Sequence, residues 1–123
     1  MNLLKVISGK VVSGQKRGSK MGFPTINIEG EFELDYGVYA SKVEYEGQSY
    51  CAAMHYGPNM TFKSESPVLE VYLLDFDGDL YNETVKVEVY NKVRDTEKFA
   101  DSAELRAQIE KDIQQIKKLC SNM

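Results

Sequence analysis

The sequence predicts a mainly β domain that ends in one amphipathic α-helix. Short apolar runs recur over residues 4–90, and residues typical of turns separate them. No helical pattern lies between these runs, so an antiparallel barrel or sandwich is expected rather than a parallel sheet. The chain is expected to form a single domain over residues 1–123, with the barrel at about 3–93 and the helix at about 102–119.

Six segments have the length and composition of strands. The predicted strands cover residues 4–12, 25–28, 37–45, 48–56, 68–76 and 83–90. The sixth has the clearest alternation, which directs Val85, Val87 and Val89 inward. Glu46-Gly47 predicts a tight hairpin. The loop that begins at Gly57-Pro58-Asn59 is long for a barrel and is expected to form a functional flap.

A change to helical spacing marks the end of the chain. Residues 101–104, Asp-Ser-Ala-Glu, resemble a capping box. Apolar residues follow at intervals of three and four, namely Leu105, Ile109, Ile113, Ile116 and Leu119 or Cys120. This stripe predicts a helix of about five turns that packs across the barrel, in preference to one that binds a partner.

Composition and charge exclude several classes of protein. No stretch approaches the roughly 20 apolar residues of a membrane span, and the N-terminus does not resemble a secretory signal. A cytoplasmic protein is therefore expected, with Cys51 and Cys120 both reduced. The single histidine and the absence of a metal-binding cysteine spacing argue against a zinc site. The net charge of −4 argues against a binder of duplex nucleic acid.

A basic, glycine-rich segment precedes the second strand. It contains Gly14, Gly18 and Gly22 at a spacing of four, with Lys16, Arg17 and Lys20 between them. Pro24 restricts the backbone, so Thr25 and Asn27 should lie at the start of a strand and point to one face. Their oxygens could hold a hard cation and the phosphates that it bridges. The alternative is a glycine-rich hairpin with solvated charges, since the spacing is not that of a P-loop.

Glu70 is an acidic residue within an apolar strand. By alternation it shares a face with Tyr72, Leu74 and Phe76, which are candidates for the interior or a pocket wall. A carboxylate there is costly unless it is paired or used, so Glu70 is a candidate general base. The alternative is a glutamate on an edge strand that faces water. Residues 92–99, taken alone, are predicted to be a solvated loop.

Several segments, in their order along the chain, resemble the riboflavin kinase family. They are residues 9–14, 18, 22–27 (Gly-Phe-Pro-Thr-Ile-Asn, similar to the family's Gly-Phe-Pro-Thr-Ala-Asn), 36–40, 70–76, 79–81 and 93–99, followed by the helix. The resemblance covers nearly the whole chain. It implies a six-stranded antiparallel Greek-key barrel with the helix packed outside, and transfer of the γ-phosphoryl group of ATP to the ribityl 5′-hydroxyl of riboflavin, which gives FMN. Met60 departs from the family's Pro-Thr-Phe, and Ile26 stands where alanine is common.

The same resemblance implies a role for individual residues. Glu70 would accept the hydroxyl proton, and Thr25 and Asn27 would hold Mg²⁺ and the nucleotide phosphates. The other implied contacts are Gly14, Lys20 and Tyr81 with ATP, and Arg94 and Phe99 on the flavin side. The expected partners are riboflavin or FMN and ATP or ADP, without nucleic acid or membrane, and the protein is expected to be a monomer. The adenylyltransferase activity of many bacterial members is expected to be absent.

Two other functions are compatible with the same residues. A non-catalytic flavin-binding or regulatory module would keep the barrel and bind flavin without consuming ATP. An oligonucleotide-binding barrel would use the eight tyrosines for stacking. The acidic net charge disfavours the second of these.

Overall fold

The computed structural model describes residues 2–12, 25–58, 67–76 and 80–121. Within these ranges the elements are β1 (Lys5–Val12), β2 (Thr25–Ile28), β3 (Gly37–Tyr45), β4 (Gln48–Gly57), β5 (Val68–Leu73), β6 (Thr84–Arg94) and α1 (Ser102–Ser121). The predicted glycine-rich loop with Gly14 and Lys20 lies outside the described residues, as does Met60.

The strands close into a barrel in the order β1-β2-β5-β4-β3-β6, and all neighbours are antiparallel. Strands β3, β4 and β5 are consecutive neighbours, and β6 returns to lie beside β3, which is the Greek-key arrangement. The predicted antiparallel barrel with a C-terminal helix is therefore confirmed. The predicted hairpin at Glu46-Gly47 is also present, with positive φ at both residues.

Alternation along the strands divides the apolar side chains between two clusters. The first fills the barrel and includes Ile7, Val43, Met54, Leu69, Val71 and Val87. The second lies outside the barrel, where Val38, Ala40, Ala53 and Tyr72 pack against Ile109, Ile113 and Ile116 of α1. The helix thus covers one part of the outer barrel surface, as its apolar stripe predicts.

The N-terminus of α1 has the predicted cap with one difference. The Asp101 Oδ1 atom accepts a hydrogen bond from the Glu104 amide at 2.9 Å. The Glu104 Oε2 atom accepts in return from the amide of Ala100, also at 2.9 Å, and so reaches one residue before the cap. Both bonds satisfy amides near the helix start, and α1 continues to Ser121.

Two strand boundaries differ from the prediction. Strand β6 continues to Arg94, so residues 92–94 belong to the sheet and not to a solvated loop. Strand β5 ends at Leu73, and Asp75 follows with φ 56°. Because the alternation stops there, Leu74 packs under the helix whereas Phe76 packs against the barrel interior. The predicted common face of Glu70 and Phe76 was therefore wrong.

The expectation of two reduced cysteines is also wrong, because Cys51 and Cys120 form a disulfide. Cys51 lies on β4 and Cys120 in the last turn of α1, 69 residues later. Packing of the helix on the barrel brings them together, and their distance in the sequence gave no sign of this. Within the described residues, no helix combines the length and the apolar character needed to cross a bilayer.

Candidate active site

Two cross-strand pairs between β2 and β5 form the centre of the site. Asn27 lies opposite Glu70, and Thr25 lies opposite Tyr72. Residues directly opposite each other in an antiparallel pair point to the same face. Since Tyr72 packs on the outer, helix-covered side of the barrel, all four side chains lie on that side.

Glu70 is buried, with 8% of its surface exposed. Its strand is paired with β2 on one side and β4 on the other, so the edge-strand interpretation is excluded. The Tyr72 hydroxyl donates a hydrogen bond to Glu70 Oε2 at 3.3 Å. On the β4 side, His55 lies opposite Glu70. Glu70 therefore shares its face of the sheet with His55 on β4 and Asn27 on β2 and is hydrogen-bonded to Tyr72 on its own strand.

The hydroxyl of Thr25 is a buried polar group of the kind that requires a partner. Its Oγ1 atom makes no hydrogen bond with any group in the described part of the chain. A buried hydroxyl without a partner is costly, so a ligand that uses this oxygen would remove an energetic penalty. Asn27 on the same face adds an amide oxygen, and two such oxygens suit Mg²⁺.

A cage of protein ligands is not present among the residues that the structure describes. No group of three or more histidine, cysteine, aspartate or glutamate side chains there could hold a metal ion. Mg²⁺ does not need such a cage, since it is usually held by one or two protein groups together with water and substrate phosphates. The pair Thr25 and Asn27 fits that pattern.

A cleft lies between α1 and the outer surface of the barrel, next to this pair of strands. Its wall includes Tyr72, His55, Arg94, Phe99, Leu105 and Ile109. The cleft is narrow, and its apolar and aromatic walls enclose a few polar side chains that face the same space. Because Tyr72 belongs to both the cleft and the Glu70 hydrogen bond, the cleft adjoins the carboxylate.

An irregular register between β3 and β6 directs Arg94 into this cleft. Lys92 lies opposite the inward-facing Tyr39, but Arg94 lies opposite the outward-facing Val38, so the pairing shifts between them. Gly37 permits the close approach of the strands here. A Cβ atom at this residue would lie 2.8 Å from the carbonyl oxygen of Arg94.

The Arg94 side chain is fixed by a bidentate ion pair with α1. Its Nε and Nη2 atoms donate to the Asp112 carboxylate at 2.9–3.1 Å, and Gln108 donates a further bond to Asp112. The Nη1 atom donates to the carbonyl of Asp95 at 3.0 Å. The guanidinium carbon lies 5.7 Å from the centre of the Phe99 ring. Arg94 and Phe99 therefore form one wall of the cleft together.

Burial sets the charge state of two groups in the cleft. Burial, reinforced by the positive charge of Arg94, lowers the pKa of His55 from 6.5 to about 4. Burial and the neighbouring Glu70 raise the pKa of the Tyr72 hydroxyl well above 10. At neutral pH His55 is thus uncharged, and Tyr72 keeps the proton that it donates to the carboxylate.

Tyr81, predicted to contact ATP, lies at the barrel end where β1 stops. It is exposed, and its turn is joined to β1 by two backbone hydrogen bonds, from Asn82 to Val11 and from Val11 to Glu83. Residue 13, the first of the glycine-rich segment, follows directly after β1. The turn that contains Tyr81 therefore lies beside the end of β1, and the glycine-rich segment that follows in the sequence lies outside the described residues.

Two cleft residues were missed as site residues by sequence reasoning. His55 lies opposite Glu70, but the register of β4 against β5 across residues 58–67 cannot be deduced from one sequence. Asp112 interrupts the apolar face of α1 between Ile109 and Ile113, and it is buried. A buried acid on a helix stripe signals a cation on the opposite surface, and this signal was available from the sequence.

A family model described as Flavokinase, riboflavin kinase, matches residues 4–120. The chain belongs to the riboflavin kinase family. A bifunctional riboflavin kinase/FMN adenylyltransferase of Bacillus subtilis (strain 168) is 38% identical over 123 residues, which cover 95% of this chain and 39% of the relative. The chain thus spans about two fifths of the length of that bifunctional relative.

Solved structures of two other proteins resemble this riboflavin kinase family member. A riboflavin kinase from Trypanosoma brucei has a TM-score of 0.65 and 25% identity, and the match covers 94% of this chain and 79% of that one. A protein named a macrolide-efflux protein from Streptococcus pneumoniae has a TM-score of 0.79 and 35% identity, with 91% of this chain and 38% of that one covered.

Proposed function

We propose that this chain is an ATP-dependent riboflavin kinase that transfers the γ-phosphoryl group of ATP to the ribityl 5′-hydroxyl of riboflavin. The observation that carries the proposal is the buried Glu70 opposite Asn27, at the border of the helix-covered cleft. Membership of the riboflavin kinase family supports the same reaction. ATP is the co-substrate, and FMN and ADP are the products.

Glu70 acts as the general base in this proposal. A primary hydroxyl has a pKa far above 7, so the carboxylate needs to accept the proton only as the new P–O bond forms. The γ-phosphorus gains the ribityl oxygen and loses the bridging oxygen to ADP, while the hydroxyl proton passes to Glu70. Phosphoryl transfer depends mainly on positioning of the reactants and neutralisation of their charge. One oriented carboxylate beside the acceptor hydroxyl is therefore sufficient as the catalytic base.

Thr25 and Asn27 form the metal side of the site. When bound, Mg²⁺ would neutralise phosphate charge and hold the phosphates in place. The Thr25 hydroxyl, which has no hydrogen-bond partner among the described residues, and the Asn27 amide on the same face would supply hard oxygen ligands for it. Gly14, Lys20 and Tyr81 are proposed to contact the nucleotide, since Tyr81 lies beside the end of β1, from which the glycine-rich segment continues.

The cleft beside α1 is the proposed flavin side. Arg94 and Phe99 form one wall, and the apolar Leu105 and Ile109 from the helix face them. A flat aromatic ring system bound at this side would direct its ribityl chain toward Tyr72, which lines the cleft and donates a hydrogen bond to Glu70. We further propose that the protein is a cytoplasmic monomer with a single domain at residues 1–123. It would bind these small molecules and no nucleic acid, and the net charge of −4 supports the absence of nucleic acid.

The test is a chromatographic assay for FMN with riboflavin, Mg²⁺ and either ATP or CTP, run on the wild type and on Glu70→Gln. We expect FMN from the wild type and a loss of about 10²–10⁴-fold in kcat for Glu70→Gln, with riboflavin binding retained. Glu88→Gln on β6 is the matched control, because it changes a strand glutamate outside the site. A wild type that binds riboflavin but forms no FMN would instead be a non-catalytic flavin-binding module.

A further inference from the structure

Tyr72 is placed between the proposed base and the proposed flavin cleft. We infer that Tyr72 is a positioning residue, which orients the Glu70 carboxylate toward the ribityl hydroxyl of the substrate. This inference rests on the proposed function and goes beyond it, since it assigns a role in turnover to a hydroxyl that is two residues from the base along β5. The evidence is the geometry of the hydroxyl, the ring and the strand.

The hydroxyl and the ring of Tyr72 have different surroundings. The hydroxyl donates to Glu70 Oε2 at 3.3 Å, while the ring forms part of the cleft wall and packs in the cluster under α1. Only 8% of Tyr72 is exposed, so the ring cannot swing away without losing this packing. Because its ring is packed, the Tyr72 hydroxyl donates from a fixed position and can set the orientation of the Glu70 carboxylate.

A glutamate carboxylate needs a hydrogen bond to fix its orientation, because rotation about its last side-chain torsion costs little energy. Rotation about χ3 of glutamate has broad minima, so the carboxylate plane is poorly defined unless a hydrogen bond sets it. The Tyr72 hydroxyl keeps its proton at neutral pH and therefore donates to the Glu70 carboxylate. A carboxylate that is already oriented loses less conformational entropy when it accepts the proton of the substrate hydroxyl. This lowers the activation free energy and therefore raises kcat.

Tyr72→Phe removes the hydroxyl and keeps the ring in the cleft wall. We expect kcat for FMN formation to fall about tenfold, because the lost bond goes to a charged group but is long. The KM for riboflavin, and the dissociation constant from quenching of riboflavin fluorescence without ATP, should stay within about twofold. Tyr39→Phe is the matched control, since that tyrosine is also buried and donates to the carbonyl of Asp35, and neither residue lines the cleft.

A double-mutant cycle separates positioning from a general effect on the fold. With enzyme in excess over riboflavin and long incubation, Glu70→Gln should give a measurable residual rate, and adding Tyr72→Phe should not lower it further. The inference is overturned if Tyr72→Phe has the wild-type kcat, if its loss appears in riboflavin affinity, or if the same tenfold loss persists in the Glu70→Gln background. A wild type without FMN formation would overturn the proposed function itself, and the inference with it.

Discussion

Arg94 and Asp112 form a bidentate ion pair that joins the end of β6 to the middle of α1. The three charged hydrogen bonds are 2.9–3.1 Å long, and the Asp112 side chain is almost completely buried. This pair fixes the middle of α1 to the barrel beside the cleft. The disulfide at Cys120 fixes the last turn of the same helix. The ion pair therefore connects the stability of the fold with the shape of the proposed flavin side.

Asp112→Asn should destabilise the protein and weaken riboflavin binding together. The substitution keeps the volume but leaves the Arg94 guanidinium without its countercharge, for which we expect a loss of about 2–3 kcal/mol in the free energy of unfolding. Urea unfolding and riboflavin fluorescence titration measure the two effects. Glu110→Gln is the control on the same helix, because it breaks an exposed pair with Arg106 and should cost under about 0.5 kcal/mol. Equal losses in both variants would contradict this interpretation.

Much of the fold could be predicted because the pattern of the strands is local. Alternation gave β6 its inward Val85, Val87 and Val89, and helical spacing gave α1 its buried isoleucines. The ends of β5 and β6 were predicted wrongly. The positive φ of Asp75 and the register shift that extends β6 to Arg94 both depend on neighbouring strands, which the alternation of one strand does not reveal.

The residues of the candidate site could be selected in part for the same reason, and their roles stay predictions. Glu70 was conspicuous as an acid in an apolar run, and Thr25 and Asn27 were conspicuous beside Pro24. Their direct pairing across β2 and β5 required the barrel order, in which these strands are neighbours although residues 29–67 separate them. His55 was not identified, because its position opposite Glu70 depends on the register between β4 and β5, which one sequence does not reveal.

Thr25→Val should lower activity without lowering stability. Valine has nearly the same shape, and the Oγ1 atom that it removes is buried without a partner in the described residues, so the free energy of unfolding should stay the same or rise by about 1 kcal/mol. Loss of an oxygen ligand should reduce kcat about 10²-fold and raise the Mg²⁺ concentration needed for half-maximal rate. Thr84→Val, an exposed change on β6, is the control. A variant that is unstable but fully active would contradict the metal assignment.

Reduction of the Cys51–Cys120 disulfide should destabilise the protein without dismantling the barrel. The bond closes a loop across 69 residues of sequence, which corresponds to about 4 kcal/mol in the chain-entropy description. Urea unfolding with and without dithiothreitol measures this difference, and Cys120→Ala should match the reduced wild type and be insensitive to the reductant. Titration of two free thiols in the folded protein under oxidising conditions would show that the bond does not form.

The stability of the protein should fall as the pH drops from 7 to 5, and His55 should account for part of that fall. The folded pKa is about 4 and the unfolded value is 6.5, so in this window the unfolded chain binds a proton that the folded protein does not. The contribution of His55 to stability is fully present above pH 6.5 and falls through this window, and the loss amounts to about 2 kcal/mol at pH 5. Because the chain has one histidine, a single imidazole NMR signal reports it directly. His55→Gln should reduce the loss of unfolding free energy between pH 7 and 5 by this amount. The prediction is disproved if the variant shows the same pH dependence as the wild type, or if the imidazole signal of the folded wild type titrates with a midpoint near 6.5.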